Sequence, residues 1–213
     1  DTIFFARRDI TSITIPSFIE YILPYSFENC QQLKTINFDS NSKIKILRSE
    51  SFSKSGIENF LCPKSIEKIE SFIECQKLKT VNFQSGSKLN LIERFAFQYS
   101  SLESIFIPKN TRLTPNSLNR CYSLLKIQIS PENKYYKYLD DRFIVTESNP
   151  NIFDKLVFVR SFGLSKLVIP SYINSFCKEC FNLFRCESVE YSTDTKLRSI
   201  DDGLFKNSEI KTI

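Results

Sequence analysis

The chain has no His and no Met, and only four Gly, Gly56, Gly86, Gly163 and Gly203. Without an imidazole, Ser/His/Asp triads, Cys/His dyads and histidine metal sites are excluded, since each needs that ring to move a proton or hold a metal. Four scattered Gly cannot form a G-x-G-x-x-G turn or a P-loop, so phosphate-cradling enzymes are excluded as well. No apolar run, Leu156-Val157-Phe158-Val159 included, approaches the ~20 residues of a membrane span. There is no N-x-[ST] sequon. The charge is also thin: 29 Lys and Arg against 24 Asp and Glu, interspersed, a net +5 that argues against a nucleic-acid partner. What is present is the profile of a folded globular chain, with 213 residues, 41% hydrophobic and 25% charged.

Self-comparison exposes a repeat. The phrase "apolar, two residues, apolar, one residue, apolar" opens at Ile10, Leu33, Ile57, Leu78, Leu102, Leu124, Leu164 and Cys186, and a ninth copy starts at Ile210. Successive openings are about 21 to 24 residues apart, except for one step of about 40, and such a period marks a solenoid. A second landmark keeps the same time: Phe5, Phe27, Phe52, Phe72, Phe97, Leu118, Phe181 and Phe205 each precede a phrase, usually after a small residue such as Ser26, Ser51, Ser71 or Ala96. The phrase predicts a short strand that lies parallel to its neighbours at about 4.8 Å, and the landmark predicts a stacked core column on a short helical turn.

The copies alternate in kind. Those at Ile10, Ile57, Leu102 and Leu164 end in Pro16, Pro63, Pro108 and Pro170, which remove an N–H from the ladder. Those at Leu33, Leu78 and Cys186 continue instead as Ser/Asn/Thr-rich turns ending in Lys43, Lys88 and Lys196.

The stretches SFENCQQLKTINF (26–38), SFIECQKLKTVNF (71–83), AFQYSSLESIFIP (96–108) and LSKLVIPSYI (164–173) resemble the BspA-type leucine-rich repeats of bacterial surface proteins and trichomonad-like protozoa. The long step fits too, because SPENKYYKYLDDRFIV (130–145) looks like the family's longer variant, with Asn133 and Tyr136 matching and Arg142 in the place of a Gly. The resemblance implies a right-handed solenoid, a single unit over 1–213, with a parallel sheet on the concave side, helical turns on the convex side and a hairpin-like insertion at about 130–163. It also implies adhesion or partner binding without fixing a ligand.

In such a strand the first, fourth and sixth phrase residues point inward and the fifth lies on the exposed face. The fifth positions include Asn37, Leu61, Asn82, Phe106, Gln128 and Val168, which makes a mildly apolar, uncharged face with amides able to bond a partner. The second positions, Lys34, Glu58, Lys79 and Glu103, predict a ladder of opposite charges on successive strands. Lys43, Lys45, Lys88, Lys196 and Arg198 suggest a basic flank, interrupted by the intervening copies. In the insertion, strands are expected over 142–146 and 155–159 around a turn at 147–154, with Tyr135, Tyr136 and Tyr138 as interface candidates.

Seven Cys is an odd number, so at least one thiol is free or pairs with another chain. Cys30, Cys75 and Cys121 recur in every second copy, about 9–10 Å apart, too far for a disulfide, and read as small buried thiols. Cys177-x-x-Cys180 with Cys186 lacks a fourth zinc ligand, and Asp140-Asp141 and Asp201-Asp202 read as turn caps, so no metal, cofactor or catalytic group is expected. Phe5 and Ile213 fall inside incomplete copies, so uncapped ends are expected to continue into further repeats or dock on neighbours. Two readings of function stand. One is a non-enzymatic module binding a protein or glycan at a cell surface, as the resemblance implies. The other is a structural subunit of an intracellular cytoskeletal or flagellar assembly, which the unpaired Cys and missing sequons favour.

Overall fold

A computed structural model describes residues 2–3, 6–140, 142–159, 164–177, 180–181, 184–205 and 208–213. Phe5 of the aromatic landmark, Asp141 of the acidic pair and Gly163 lie outside the described residues. The chain divides into two compact units, Asp1–Ser130 and Pro131–Ile213.

Two kinds of strand alternate along the first unit. The short ones are β1 (Thr2–Ile3), β3 (Tyr21–Ile22), β5 (Ile46–Leu47), β7 (Lys68–Ile69), β9 (Leu91–Ile92) and β11 (Arg112–Leu113). The long ones are the phrase itself: β2 (Ser12–Ile15), β4 (Thr35–Phe38), β6 (Asn59–Cys62), β8 (Thr80–Phe83), β10 (Ser104–Ile107) and β12 (Lys126–Ile129). Long strands pair in parallel and in phase, so that Ile13 lies opposite Ile36, Phe60 opposite Val81 and Ile105 opposite Ile127. The fold is therefore the parallel-strand leucine-rich-repeat solenoid that the periodicity predicts.

The short strands form a second parallel sheet in the order β1-β3-β5-β7-β9-β11. From β3 onward each contributes one inward residue, Ile22, Leu47, Ile69, Ile92 or Leu113. Along the chain, between each short strand and the long strand that follows, stand the landmark residues. Phe27, Phe52, Phe72 and Phe97 are fully buried, and their rings stack at 5.1, 5.5 and 5.6 Å with planes within 12° of parallel. Burying each contributes on the order of 2–3 kcal/mol. Phe60 leans into the column 4.8 Å from Phe72.

The expected helical turns do not form: among the described residues there is no helix. The reason lies in where the backbone donors go. The N–H of each column residue bonds the next turn, Phe27 to Ser51 O at 2.8 Å, Phe72 to Ala96 O at 2.7 Å and Phe97 to Ser117 O at 3.1 Å. A donor committed between turns cannot bond four residues back. Two residues on each side of the column the chain passes through the left-handed region, as at Glu50 (φ 54°) and Lys54 (φ 57°) around Phe52, and at Phe95 (φ 63°) and Tyr99 (φ 58°) around Phe97. Non-glycine residues there cost about 1–2 kcal/mol each, which the cross-turn bonds and the buried rings offset.

The alternation of copies also has a physical cause. In proline copies a reverse turn closes from Pro O to the third residue on, Ile19 N to Pro16 O at 3.1 Å and Ile66 N to Pro63 O at 3.2 Å. After Pro16 and Pro63 the following N–H is then met by a side chain of the next copy: Ser17 N donates to Asp39 Oδ2 at 3.0 Å and Lys64 N to Gln84 Oε1 at 3.1 Å. The serine copies close the same turn and brace it with hydroxyls, Ser42 Oγ accepting from Ile44 N and Ser87 Oγ from Leu89 N.

The second unit holds β13 (Lys137–Leu139), β14 (Phe143–Asn149), β15 (Ile152–Val159), β16 (Lys166–Ile169), β17 (Ser175–Phe176) and β18 (Ser188–Tyr191). β13, β14 and β15 are antiparallel, β15 pairs in parallel with β17, and β16 in parallel with β18. The insertion is a hairpin, but a longer one than expected. Its strands reach Asn149 and resume at Ile152, so the turn is only Pro150-Asn151, with Asn151 at φ 64°. Three register shifts in β14 absorb the length. At the preceding bend, where Arg142 replaces a Gly, Asp140 takes the left-handed conformation (φ 49°), which a short polar side chain tolerates. The core gathers Leu156, Leu167, Ile169 and Ile173 around Phe181, whose ring meets Phe176, Phe184 and Phe205 at 5.5, 5.4 and 4.9 Å.

Candidate functional site

The sheet ordered β12-β10-β8-β6 carries the central part of the candidate face. Leu61 lies opposite Asn82, and Phe106 opposite Gln128. β10 and β8 share that phase, through Ile105 opposite Val81, so Leu61, Asn82, Phe106 and Gln128 form one row across four strands. Leu61 and Phe106 are 53% and 42% exposed, far above the fully buried Phe60 and Ile107 that flank them in sequence. Asn37 stands in the same phase on β4, opposite Thr14 on β2. In the second unit Val168 is exposed opposite Glu190.

Beside this row runs one of small hydroxyl and amide residues, where Thr80 Oγ1 donates to Asn59 Oδ1 at 2.7 Å. The predicted charge ladder is formed at Lys79–Glu103, 3.4 Å, and recurs in the second unit as Glu187–Lys211, 3.1 Å. Exposed pairs of this kind contribute about 0–1 kcal/mol, so their effect is on register more than on stability.

The basic flank differs from the expectation in two ways. Lys43 and Lys45 each have a carboxylate at 3.7 Å, from Glu20 and Glu67. The proline copies also do not interrupt the row: Lys64 and Lys109 are exposed directly after Pro63 and Pro108, and Lys88 N donates to Lys64 O at 3.0 Å, which makes those two turns neighbours. The sequence signal was a Lys after each of these two prolines. Lys196 and Arg198 are exposed in the second unit.

Of the insertion tyrosines, Tyr136 is drawn inside, 7% exposed, while Tyr135 and Tyr138 are half-buried. Asn133 explains the placement, since its Oδ1 accepts from Tyr135 N at 2.8 Å and Tyr136 N at 3.0 Å. Exposed aromatics that the phrase did not single out include Phe18, Tyr21 and Tyr25, of which Tyr21 lies on β3 of the second sheet. Tyr21 is detectable only once the two-residue strands are known.

All seven cysteines carry free thiols. Cys75 Sγ donates to Phe52 O and Cys121 Sγ to Phe97 O, both at 3.0 Å, while Ser55 and Ser100 lie 3.6 Å from the same sulfurs. Burial pushes the Cys75 thiol up to about 11 and Cys121 to about 12, and raises Cys62 and Cys180 as well. These are inert packing groups with a weak hydrogen bond, not nucleophiles. No group of His, Cys, Asp or Glu among the described residues is arranged to hold a metal ion, and no described helix is long and apolar enough to cross a membrane.

Among solved structures, the pneumococcal vaccine antigen PcpA is similar at 26% identity and a TM-score of 0.72, over 90% of this chain and 50% of that one. A leucine-rich cell surface protein of Faecalibacterium prausnitzii is similar at 18% identity and TM-score 0.61, over 90% and 66%. A leucine-rich repeat protein of Eubacterium ventriosum follows at 15% and 0.65, over 88% and 50%. The chain thus spans between half and two thirds of the structures it resembles. A search of curated proteins finds no match. The profile of the BspA type leucine rich repeat region matches in 6 copies, over residues 1–125 and 142–213. The chain belongs to the BspA-type leucine-rich repeat family.

Proposed function

We propose that the chain is a non-catalytic interaction module of a cell-surface adhesion type, and that it presents the Leu61–Phe106 face of its first unit to a protein partner. The observation that carries this reading is the pair of half-exposed apolar side chains held two strands apart on an in-register sheet, with Asn82 and Gln128 beside them as uncommitted hydrogen-bonding groups. Apolar anchors surrounded by amides are the composition of a binding hot spot. The likeness to a pneumococcal vaccine antigen and to a cell surface protein supports a surface setting.

The experiment is capture from extracts of the source organism with the wild-type chain and with the Leu61→Asp, Phe106→Asp double variant, each checked for native circular dichroism. A partner is expected to be retained by the former and lost by the latter. Equal retention by both overturns the reading. A second reading, an intracellular structural subunit, is favoured by the seven free thiols. Thiol titration of native material separates the two: seven titratable thiols after denaturation support the second reading, and oxidised cysteines support the first.

A further inference from the structure

We infer that the occupant of this face is an acidic peptide in the polyproline II conformation, lying across the strands with an apolar residue at every third position. The inference rests on the reading of this face as the binding surface and names the chemistry of its partner.

Three features converge on it. The first is spacing. Leu61 on β6 and Phe106 on β10 are two strands apart, hence about 9.6 Å along the row at the usual strand separation. A polyproline II helix has three residues per turn and rises about 3.1 Å per residue, so its every third side chain recurs at about 9.3 Å. One apolar series of such a peptide meets both anchors without adjustment, whereas an α-helix brings residues back to one line only about every 10.5 Å and at every seventh residue.

The second is hydrogen bonding. Polyproline II makes no internal hydrogen bonds, so its carbonyls need donors from the surface that binds it. Asn82 and Gln128 supply amide N–H groups in the same row, each adjacent to an apolar anchor. Aromatic and apolar contacts alternating with amide donors are what this backbone requires.

The third is charge. Lys64 and Lys88 follow the exposed row by a few residues in successive turns, and line the edge of the sheet where its strands end. The opposite edge carries Glu58, Lys79 and Glu103, with Lys79 and Glu103 paired at 3.4 Å. A threefold helix whose apolar face meets the sheet directs its other two faces toward the two edges. The lysine edge therefore selects Asp or Glu on one of those faces, and the opposite edge, where Glu58 beside the Lys79–Glu103 pair leaves a net negative charge, disfavours a second acidic residue and accepts Pro on the other.

The test uses the whole 213-residue chain and three synthetic twelve-residue probes followed by amide chemical-shift perturbation. They are (Leu-Pro-Asp)4, the charge-reversed (Leu-Pro-Lys)4, and an acidic amphipathic helical peptide of equal net charge. The expected result is binding of (Leu-Pro-Asp)4 with Kd on the order of 10⁻⁴ M, as suits a small interface, with shifts confined to residues around 61, 82, 106 and 128. Phe106→Ala and Leu61→Ala, which add no charge to the face, are each expected to weaken it at least tenfold. Lys64→Glu with Lys88→Glu is expected to weaken it several-fold and to flatten its salt dependence, and (Leu-Pro-Lys)4 is expected to be at least tenfold weaker. Preference for the helical probe, binding indifferent to the alanine variants, or no binding below 1 mM of any probe overturns the inference. If extract capture still depends on Leu61 and Phe106 in that case, the face remains the binding surface and only its occupant has been misassigned. If neither dependence is found, both readings fail.

Discussion

Phe72 sits at the centre of the ring column, and truncating it tests whether the column stabilises the solenoid as a stack of ring contacts or only as buried surface. Its ring has three aromatic neighbours, Phe52 at 5.5 Å, Phe97 at 5.6 Å and Phe60 at 4.8 Å. Phe27 is equally buried, yet among the described residues its ring meets only Phe52, at 5.1 Å. Phe→Ala at either site costs about 3–5 kcal/mol, enough to unfold a chain whose whole stability is about 5–15 kcal/mol. Phe→Leu is the better perturbation, because the column already holds a leucine at Leu118 and most of the apolar surface is kept. The ring contacts are then the main difference. At about 0.5–1.5 kcal/mol for each aromatic pair, the two additional partners make Phe72→Leu more costly than Phe27→Leu by about 1–3 kcal/mol. Urea unfolding followed by circular dichroism and by tyrosine fluorescence, which nine Tyr and no Trp leave uncluttered, measures the difference. Equal losses at the two sites, within about 0.5 kcal/mol, would refute the stacking argument and leave burial alone as the cause.

Alkaline pH is expected to destabilise the protein through its buried thiols. The folded state holds the Cys75 proton up to about 11 and that of Cys121 up to about 12, against an ordinary value of 9.0, so the contribution is complete below pH 9 and falls away as pH rises through 11 and 12. Replacing both with Ser should make that slope shallower in a plot of urea midpoint against pH, the remainder belonging to Cys62 and Cys180, and an unchanged slope contradicts the assignment. Gly56→Ala should cost at least about 2 kcal/mol, since its new Cβ would lie 2.1 Å from Gln31 O and force neighbouring turns apart. Gly86→Ala, in open space at φ +76°, should cost only the left-handed penalty of about 1 kcal/mol. Thermal unfolding of the two variants ranks them.

The long strands and the column were legible because their signals are local and repeated. Ile36 and Phe38, alternating with the outward Thr35 and Asn37, carry enough period-2 pattern to declare a strand, and Leu61 and Phe106 announce the exposed face by breaking it with an outward apolar residue. The second sheet was not legible, because two-residue strands such as Lys68–Ile69 are too short to alternate. Only a single inward residue per turn, Ile22, Leu47, Ile69 or Ile92, betrays them. The helical turns were expected from the regular placement of Phe after a small residue, and that placement is equally satisfied by a turn whose donors bond the next copy. The hairpin was underestimated because Glu147, Ser148 and Asn149 look like loop residues, whereas pairing with β15 overrides their propensity. Tyr136 looked like an interface residue by composition, and the Asn133 side chain turns it inward by bonds that no pattern of hydrophobicity records.

The alternation of proline and serine copies has a consequence for how such a chain can change length. Asp39 and Gln84 reach back to the N–H that follows a proline in the copy before, and Lys79 and Glu103 meet across consecutive copies with opposite sign. Excising one serine copy would bring proline against proline and a glutamate beside a glutamate, and would leave a backbone donor without its carboxylate or amide. Excising two restores every one of these pairings. The heritable unit is therefore the pair, and shortening or extension of this protein by duplication should proceed in steps of two turns.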